Sequence, residues 1–254
     1  MSGHSKWSTI KRKKGANDAK RGKIFTKAAR EIIMAAKVGG GDPDMNARLR
    51  LAIQKAKDVN MPNDNIKKAV LKGTGSGESG NLEEITYEAY AQAGVALIIE
   101  CMTDNKNRTL PEVKNVVTKG GGNMAEKGSV SYMFSQKGVF LFDGTAVSED
   151  EIMDIAINHD VDDIKESDDG TIEVISDPSV YEILKNDFDS NSITYLNSEL
   201  SMIPATSIPV EDVPIAKKIL AIIEKLEDLD DVQDVYNNSD ISDEIYQTLD
   251  QEGI

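Results

Sequence analysis

The sequence predicts an α+β protein, with an N-terminal three-helix domain followed by two α/β domains, one of them ferredoxin-like. Three observations predict it. Apolar residues recur at helical spacing up to Gly73. After the glycine-rich stretch Gly73–Asn81 the period becomes that of strands. Further on, the apolar runs and turn residues fall in the order β-α-β-β-α-β, the split βαβ arrangement of ferredoxin-like domains.

The first helix is read from Asp18 to Val38, where Ile24, Phe25, Ala28, Ala29, Ile32, Ile33 and Ala36 form one apolar stripe. Gly39-Gly40-Gly41 ends it. Asp42-Pro43 looks like a cap followed by proline at the first helical position. The second helix is therefore placed near residues 43–59, burying Met45, Leu49, Ala52, Ile53 and Ala56. Pro62 and Asn63 open a third helix, with Ile66, Ala69 and Val70 inward and Gly73 as its stop.

The stretch after Gly73 contains a literal G-x-G-x-x-G at Gly75, Gly77 and Gly80. A dinucleotide site needs a preceding strand and a following helix, and the order here is reversed, so the segment reads as a hinge. Two strands follow, joined at Ala93-Gly94, the second ending near Thr103. A helix is expected over 108–119, then a strand placing Val130, Tyr132 and Phe134 on one face. The ferredoxin-like series reads as strand 138–142, helix 149–159, strands 161–166 and 171–176, helix 178–188 and strand 192–203. A helix (211–228) and a strand (231–236) remain, and they would complete the earlier α/β unit. The expected domains are 1–78 (basic, helical), 79–136 plus 206–240 (middle α/β), 137–205 (inserted, ferredoxin-like) and an acidic tail, 241–254, forming a loose helix or none.

The 254 residues carry a net charge of −15, unevenly spread. Residues 1–73 hold 18 Lys and Arg against 6 Asp and Glu, a net of +12. Residues 136–254 hold 6 against 30, a net of −24. Such asymmetry points to one end that binds a polyanion and a body that repels it. The candidate nucleic-acid-binding residues are Lys6, Lys11, Arg12, Lys13, Lys14, Lys20, Arg21, Lys23, Lys27 and Arg30. On the first helix, Lys20, Lys23, Lys27, Arg30 and Lys37 project away from the apolar stripe. Trp7, the one tryptophan, either packs on the helical core or stacks on a base; packing is favoured.

Other chemistry finds little support. Cys101 is the only cysteine, and His4 and His159 the only histidines, which removes disulfides and cysteine zinc clusters and nearly removes histidine catalysis. Carboxylates come in diffuse strings, not convergent sets. No catalytic residue, metal site, cofactor or small-molecule substrate is expected, and the chain is read as no enzyme. Without an apolar run long enough to span a bilayer, or a signal-peptide core at the start, a cytoplasmic protein is expected. At "TDNKNRTLPEV", Thr103 to Val113, Asn and Thr are good helix caps; the other reading is an anion site made by Arg108 and the helix N-terminus. The "KGGGNMAEKGSV" stretch, Lys119 to Val130, is read as a flexible contact loop or a long turn.

Three separated stretches, "GHSKWSTIKRKKGANDAKRGKIFTKAAREI", "TDNKNRTLPEVKNV" and "KGGGNMAEKGSVSYMF", closely resemble the YebC-type family, over roughly residues 1–240. That family holds probable transcriptional regulators and a mitochondrial translational activator. The resemblance implies three domains and a cytoplasmic, cofactor-free regulator of gene expression, and it carries over no catalytic residues. The expected partner is nucleic acid through residues 1–73. DNA bound by a transcriptional regulator is the first reading, and ribosomal or transfer RNA bound by a ribosome-associated translation factor is the alternative.

Overall fold

The computed structural model describes residues 21–75, 82–167 and 170–251. They form two compact units. One runs through residue 129 and takes in 217–235; the other holds 130–216 and 236 onward.

The first unit begins with three helices, α1 (Arg21–Gly39), α2 (Ala47–Asp58) and α3 (Asn63–Gly73). Their core is Ile32, Ala35, Ala36, Leu49, Ala52, Ala56, Met61, Ile66 and Ala69, with Phe25 and Ile33 packed against it. The small alanines let the helices approach closely. Gly73 does more than stop α3, because a Cβ there would lie 2.5 Å from the Ile33 carbonyl oxygen and 2.7 Å from Ala36 Cβ. The expected start of the second helix is corrected. Asp42 Oδ1 accepts from the Asp44 amide in a local turn, and the helix is capped later by Asn46, whose side chain accepts from Leu49 N at 3.1 Å. Asn46 Nδ2 also donates to the Ala35 and Gly40 carbonyls, both at 2.8 Å, tying this cap to α1. Met45 therefore precedes the helix and is 84% exposed, not buried.

A four-stranded sheet follows, in the order β3-β1-β2-β9, from β1 (Glu83–Tyr90), β2 (Ala96–Thr103), β3 (Asn123–Ala125) and β9 (Val232–Asn237). β1 and β2 pair antiparallel from Glu83↔Thr103 to Tyr90↔Ala96, around a turn in which Ala93 (φ 58) and Gly94 (φ 76) are left-handed. β2 is buried along nearly its whole length, as a central strand covered on both faces must be. Helices α4 (Lys106–Lys119) and α7 (Val213–Glu227) belong to this unit, α7 apart from its first turn. The late strand β9 thus borders β2 in the early sheet.

The second unit holds a sheet of order β5-β6-β4-β7, from β4 (Phe134–Asp143), β5 (Val161–Glu166), β6 (Thr171–Ser176) and β7 (Asn197–Pro204). All its pairings are antiparallel, with α5 (Glu149–Ala156) and α6 (Tyr181–Ser190) in the two crossovers. That is the ferredoxin-like order. Phe140 is the centre of its core. Its ring stacks on Tyr181 (5.0 Å between centroids) and meets Phe188 edge-on (5.3 Å), and Phe142 meets Phe188 at 4.9 Å. Ser148 and Glu151 form a reciprocal capping box at the start of α5.

Two more expectations are corrected here. Residues 131–133 form a 3-10 turn, not a strand, and Tyr132 is 76% exposed. The expected loose tail is structured: β10 (Ser239–Ile241) pairs parallel with β8 (Ile208–Val210), and α8 (Asp243–Gln251) follows, burying Ile245, Tyr246 and Leu249. An apolar stripe at helical spacing orders this segment, and Glu244 on its other side is exposed.

Candidate nucleic-acid interface

Of the ten expected contact residues, Lys6, Lys11, Arg12, Lys13, Lys14 and Lys20 lie outside the described residues, as does Trp7. Arg21 opens α1. The remaining three project from α1 as expected, but onto other parts of the same unit. Lys23 Nζ donates to the Asp228 carbonyl at 2.7 Å. Lys27 Nζ donates to the Glu227 carbonyl at 2.9 Å and lies 3.5 Å from the Gln233 carbonyl. Arg30 donates to the Asp230 carbonyl and places Nη2 3.1 Å from Asp231 Oδ1. These cations meet the last carbonyls of α7 and the turn beyond it, where backbone oxygens without helical partners collect.

Asp231 anchors this contact. Its side chain is 2% exposed and sits between two guanidiniums. Arg108 Nη2 reaches Oδ1 at 2.9 Å and Oδ2 at 2.7 Å, and the Thr109 hydroxyl donates to Oδ2 at 2.7 Å. Thr103 Oγ1 lies 3.2 Å from the same oxygen and also accepts from the Asn105 amide. Burial alone would raise this carboxyl's pKa; the hydrogen bonds from Arg108 and Thr109 and the charges of Arg30 and Arg108 outweigh it and hold the pKa below the usual carboxylate range. The "TDNKNRT" stretch is thus a structural clamp. Asn105 caps α4 by accepting from Arg108 N, and Arg108 is held by Asp231 and Asp104 instead of facing a free anion site.

Free positive charge in the helical layer lies elsewhere. Lys55 and Lys57 on α2, and Lys67, Lys68 and Lys72 on α3, are exposed, and none forms an ion pair among the described residues. Sequence reasoning passed over them because the denser run before residue 31 dominated. Their signal was legible in part: at 100° per residue Lys57, Lys67 and Lys68 turn away from the apolar positions Ala52, Ala56, Ile66 and Ala69, and Lys55 and Lys72 flank them.

Cys101 and His159 are the cysteine and histidine among the described residues. Cys101 is buried, which pushes its thiol up to about 12. His159 Nε2 lies 2.7 Å from Asp187 Oδ2 on α6. No group of three or more His, Cys, Asp or Glu among the described residues could hold a metal ion. No helix among them is long and apolar enough to cross a membrane.

A helical layer with unpaired lysines, a sheet closed by a late strand and a ferredoxin-like fold together define a multidomain α+β protein. Residues 5–76 match the TACO1/YebC protein N-terminal domain, and residues 82–239 match the TACO1/YebC second and third domain. The chain belongs to the TACO1/YebC family. It is 53% identical over 249 residues to a "Probable transcriptional regulatory protein" of Borrelia garinii, covering 96% of this chain and 100% of that one. It is 48% identical over 250 residues to a protein of the same description from Syntrophus aciditrophicus, covering 98% and 99%. The crystal structure of a conserved hypothetical protein from Aquifex aeolicus matches with a TM-score of 0.80 at 38% identity, over 89% of this chain and 93% of that one.

Proposed function

We propose that this protein is a non-enzymatic, cytoplasmic regulator of gene expression that binds nucleic acid through its basic head, residues 1–73. The observation that carries the reading is the charge partition: 18 Lys and Arg against 6 Asp and Glu in the head, and 6 against 30 in residues 136–254. Release of counterions from phosphates supplies the affinity, and the acidic body disfavours any pose that brings it against the same strand. The description of its relatives as transcriptional regulatory proteins agrees with DNA as the ligand.

RNA is the second reading, and one feature favours it. The unpaired cations on α2 and α3 are all lysines, which follow phosphates as point charges and lack the rigid planar fork of arginine. A lysine surface suits shape-based contact with a folded RNA on the ribosome. The test is crosslinking in cells followed by sequencing of the attached nucleic acid, alongside sedimentation through a ribosome gradient. Promoter DNA in the crosslinks supports the first reading. Ribosomal or transfer RNA, with salt-sensitive co-sedimentation, supports the second. Recovery of neither defeats both.

A further inference from the structure

Outside the helical head, α4 and α7 flank an open groove of about 290 Å³, lined among others by Gln92, Lys119, Gly121, Lys218, Ile222 and Lys225. Three of its walls are lysines and none is a carboxylate. We infer that this groove is a second phosphate-binding site, which takes the phosphodiester backbone of the nucleic acid held by the head. The inference rests on the proposed function and extends it from one contact surface to two.

Three observations carry it. The first concerns where the lysines stand in the chain. Residues 136–254 contain six Lys and Arg, the lysines at 137, 165, 185, 217, 218 and 225. The three in the ferredoxin-like fold are engaged: Lys137 with Asp162 at 3.0 Å, Lys165 with Asp163, and Lys185 with Ser198 Oγ at 3.2 Å and the Tyr195 ring. Lys218 and Lys225 instead share one face of α7, seven residues apart, and neither forms an ion pair among the described residues. No carboxylate lines the groove, so an anion entering it meets only positive charge.

The second is Lys119, which comes from the facing helix and is likewise exposed and without an ion pair among the described residues. Positive charge therefore converges from two elements, as a backbone-tracking groove requires. The third is the glycine run. A Cβ on Gly120 would collide with Ile222, and one on Gly122 would lie 2.5 Å from the Tyr90 carbonyl oxygen. Gly121 takes φ 84, and Gln92 lies over it. The run is a tight turn whose glycines let α4 and α7 approach. The amides of Gly120, Gly121 and Gly122 also donate to the carbonyls of Val116, Thr118 and Val117, so the negative end of α4 is capped beside the groove.

The test compares the full chain with the variant Lys119→Gln/Lys218→Gln/Lys225→Gln and with the control Lys137→Gln/Lys165→Gln/Lys185→Gln. Affinity is measured by fluorescence anisotropy for a mixed-sequence single-stranded RNA and a duplex DNA, across a salt series. The groove variant loses about two to three units of salt slope and roughly tenfold or more in affinity, and the control, which makes the same change in net charge, keeps the wild-type slope. Lys225→Gln alone loses about one unit. Wild-type slopes in the groove variants overturn the inference and leave the proposed function standing, as does an equal loss in the control. Failure of the wild type to bind either polymer defeats the proposed function, and the inference with it.

Discussion

Arg30 on α1 holds Asp231, 201 positions later, at 3.1 Å, and Arg108 holds the same carboxylate at 2.7 Å. The helical layer is thereby fastened to the turn that leads into β9. Asp231→Asn keeps the shape and removes the charge, leaving two guanidiniums and a threonine hydroxyl without their anion. We expect a loss of about 2–4 kcal/mol by chemical denaturation. Because the folded carboxyl titrates below its ordinary value of 3.8, its contribution is complete above that pH and fades as pH falls further. The stability gap between wild type and variant should narrow on acidification; a gap constant from pH 7 to pH 2 contradicts the assignment.

Glu100 on β2 behaves oppositely. Burial, then the charges of Asp234, Glu84 and Glu31, push its carboxyl up to about 7, and Arg48 offsets only part of this. A group whose folded pKa is raised favours folding while protonated and loses that advantage as pH climbs through the folded value. Glu100→Gln should be close to neutral at pH 5 and more stable than wild type at pH 8, by about 1–3 kcal/mol. Thermal melts at the two pH values decide it, and a variant less stable at both rules it out.

Lys27 and the pair Lys67/Lys68 should separate stability from binding. Lys27→Ala removes donors to the end of α7 and should lower stability by about 1 kcal/mol. Lys67→Ala/Lys68→Ala should leave the melting temperature within error, since exposed charges contribute little to folding, and should reduce the salt slope of nucleic-acid binding by up to about two. The reverse pattern would make α3 the structural surface and α1 the contact.

Gly73→Ala tests the helix packing. The added methyl would meet the Ile33 carbonyl oxygen, which is backbone and cannot turn aside. A loss of about 1–3 kcal/mol is expected, read from denaturant midpoints, although alanine is the better helix former. An unchanged or raised midpoint would show that α1 and α3 separate freely.

Periodicity made the helices, the strands and the ferredoxin-like order legible, because each apolar face is written into its own segment. Local competition was harder to read. Asp42 could cap a helix or close a turn, and Asn46, three residues before Leu49, won the cap because it also bonds to Ala35 and Gly40. Val130, Tyr132 and Phe134 alternate like a strand, but the chain turns there before β4 begins. The charge split was visible in composition alone. The partners of Lys23, Lys27 and Arg30 were not, because they come from residues 227–233, about two hundred positions away.

The late arrival of β9 bears on how the protein emerges during synthesis. β2 ends at Thr103, and the strand that borders it begins only at Val232. At typical elongation rates the growing chain waits on the order of ten seconds with that long apolar edge uncovered. Over the same interval Arg30 and Arg108 have no Asp231 to meet. A nascent polypeptide stalled before residue 230 therefore displays both a sticky border and an unopposed cationic cluster, and is a natural client for chaperones at the exit tunnel.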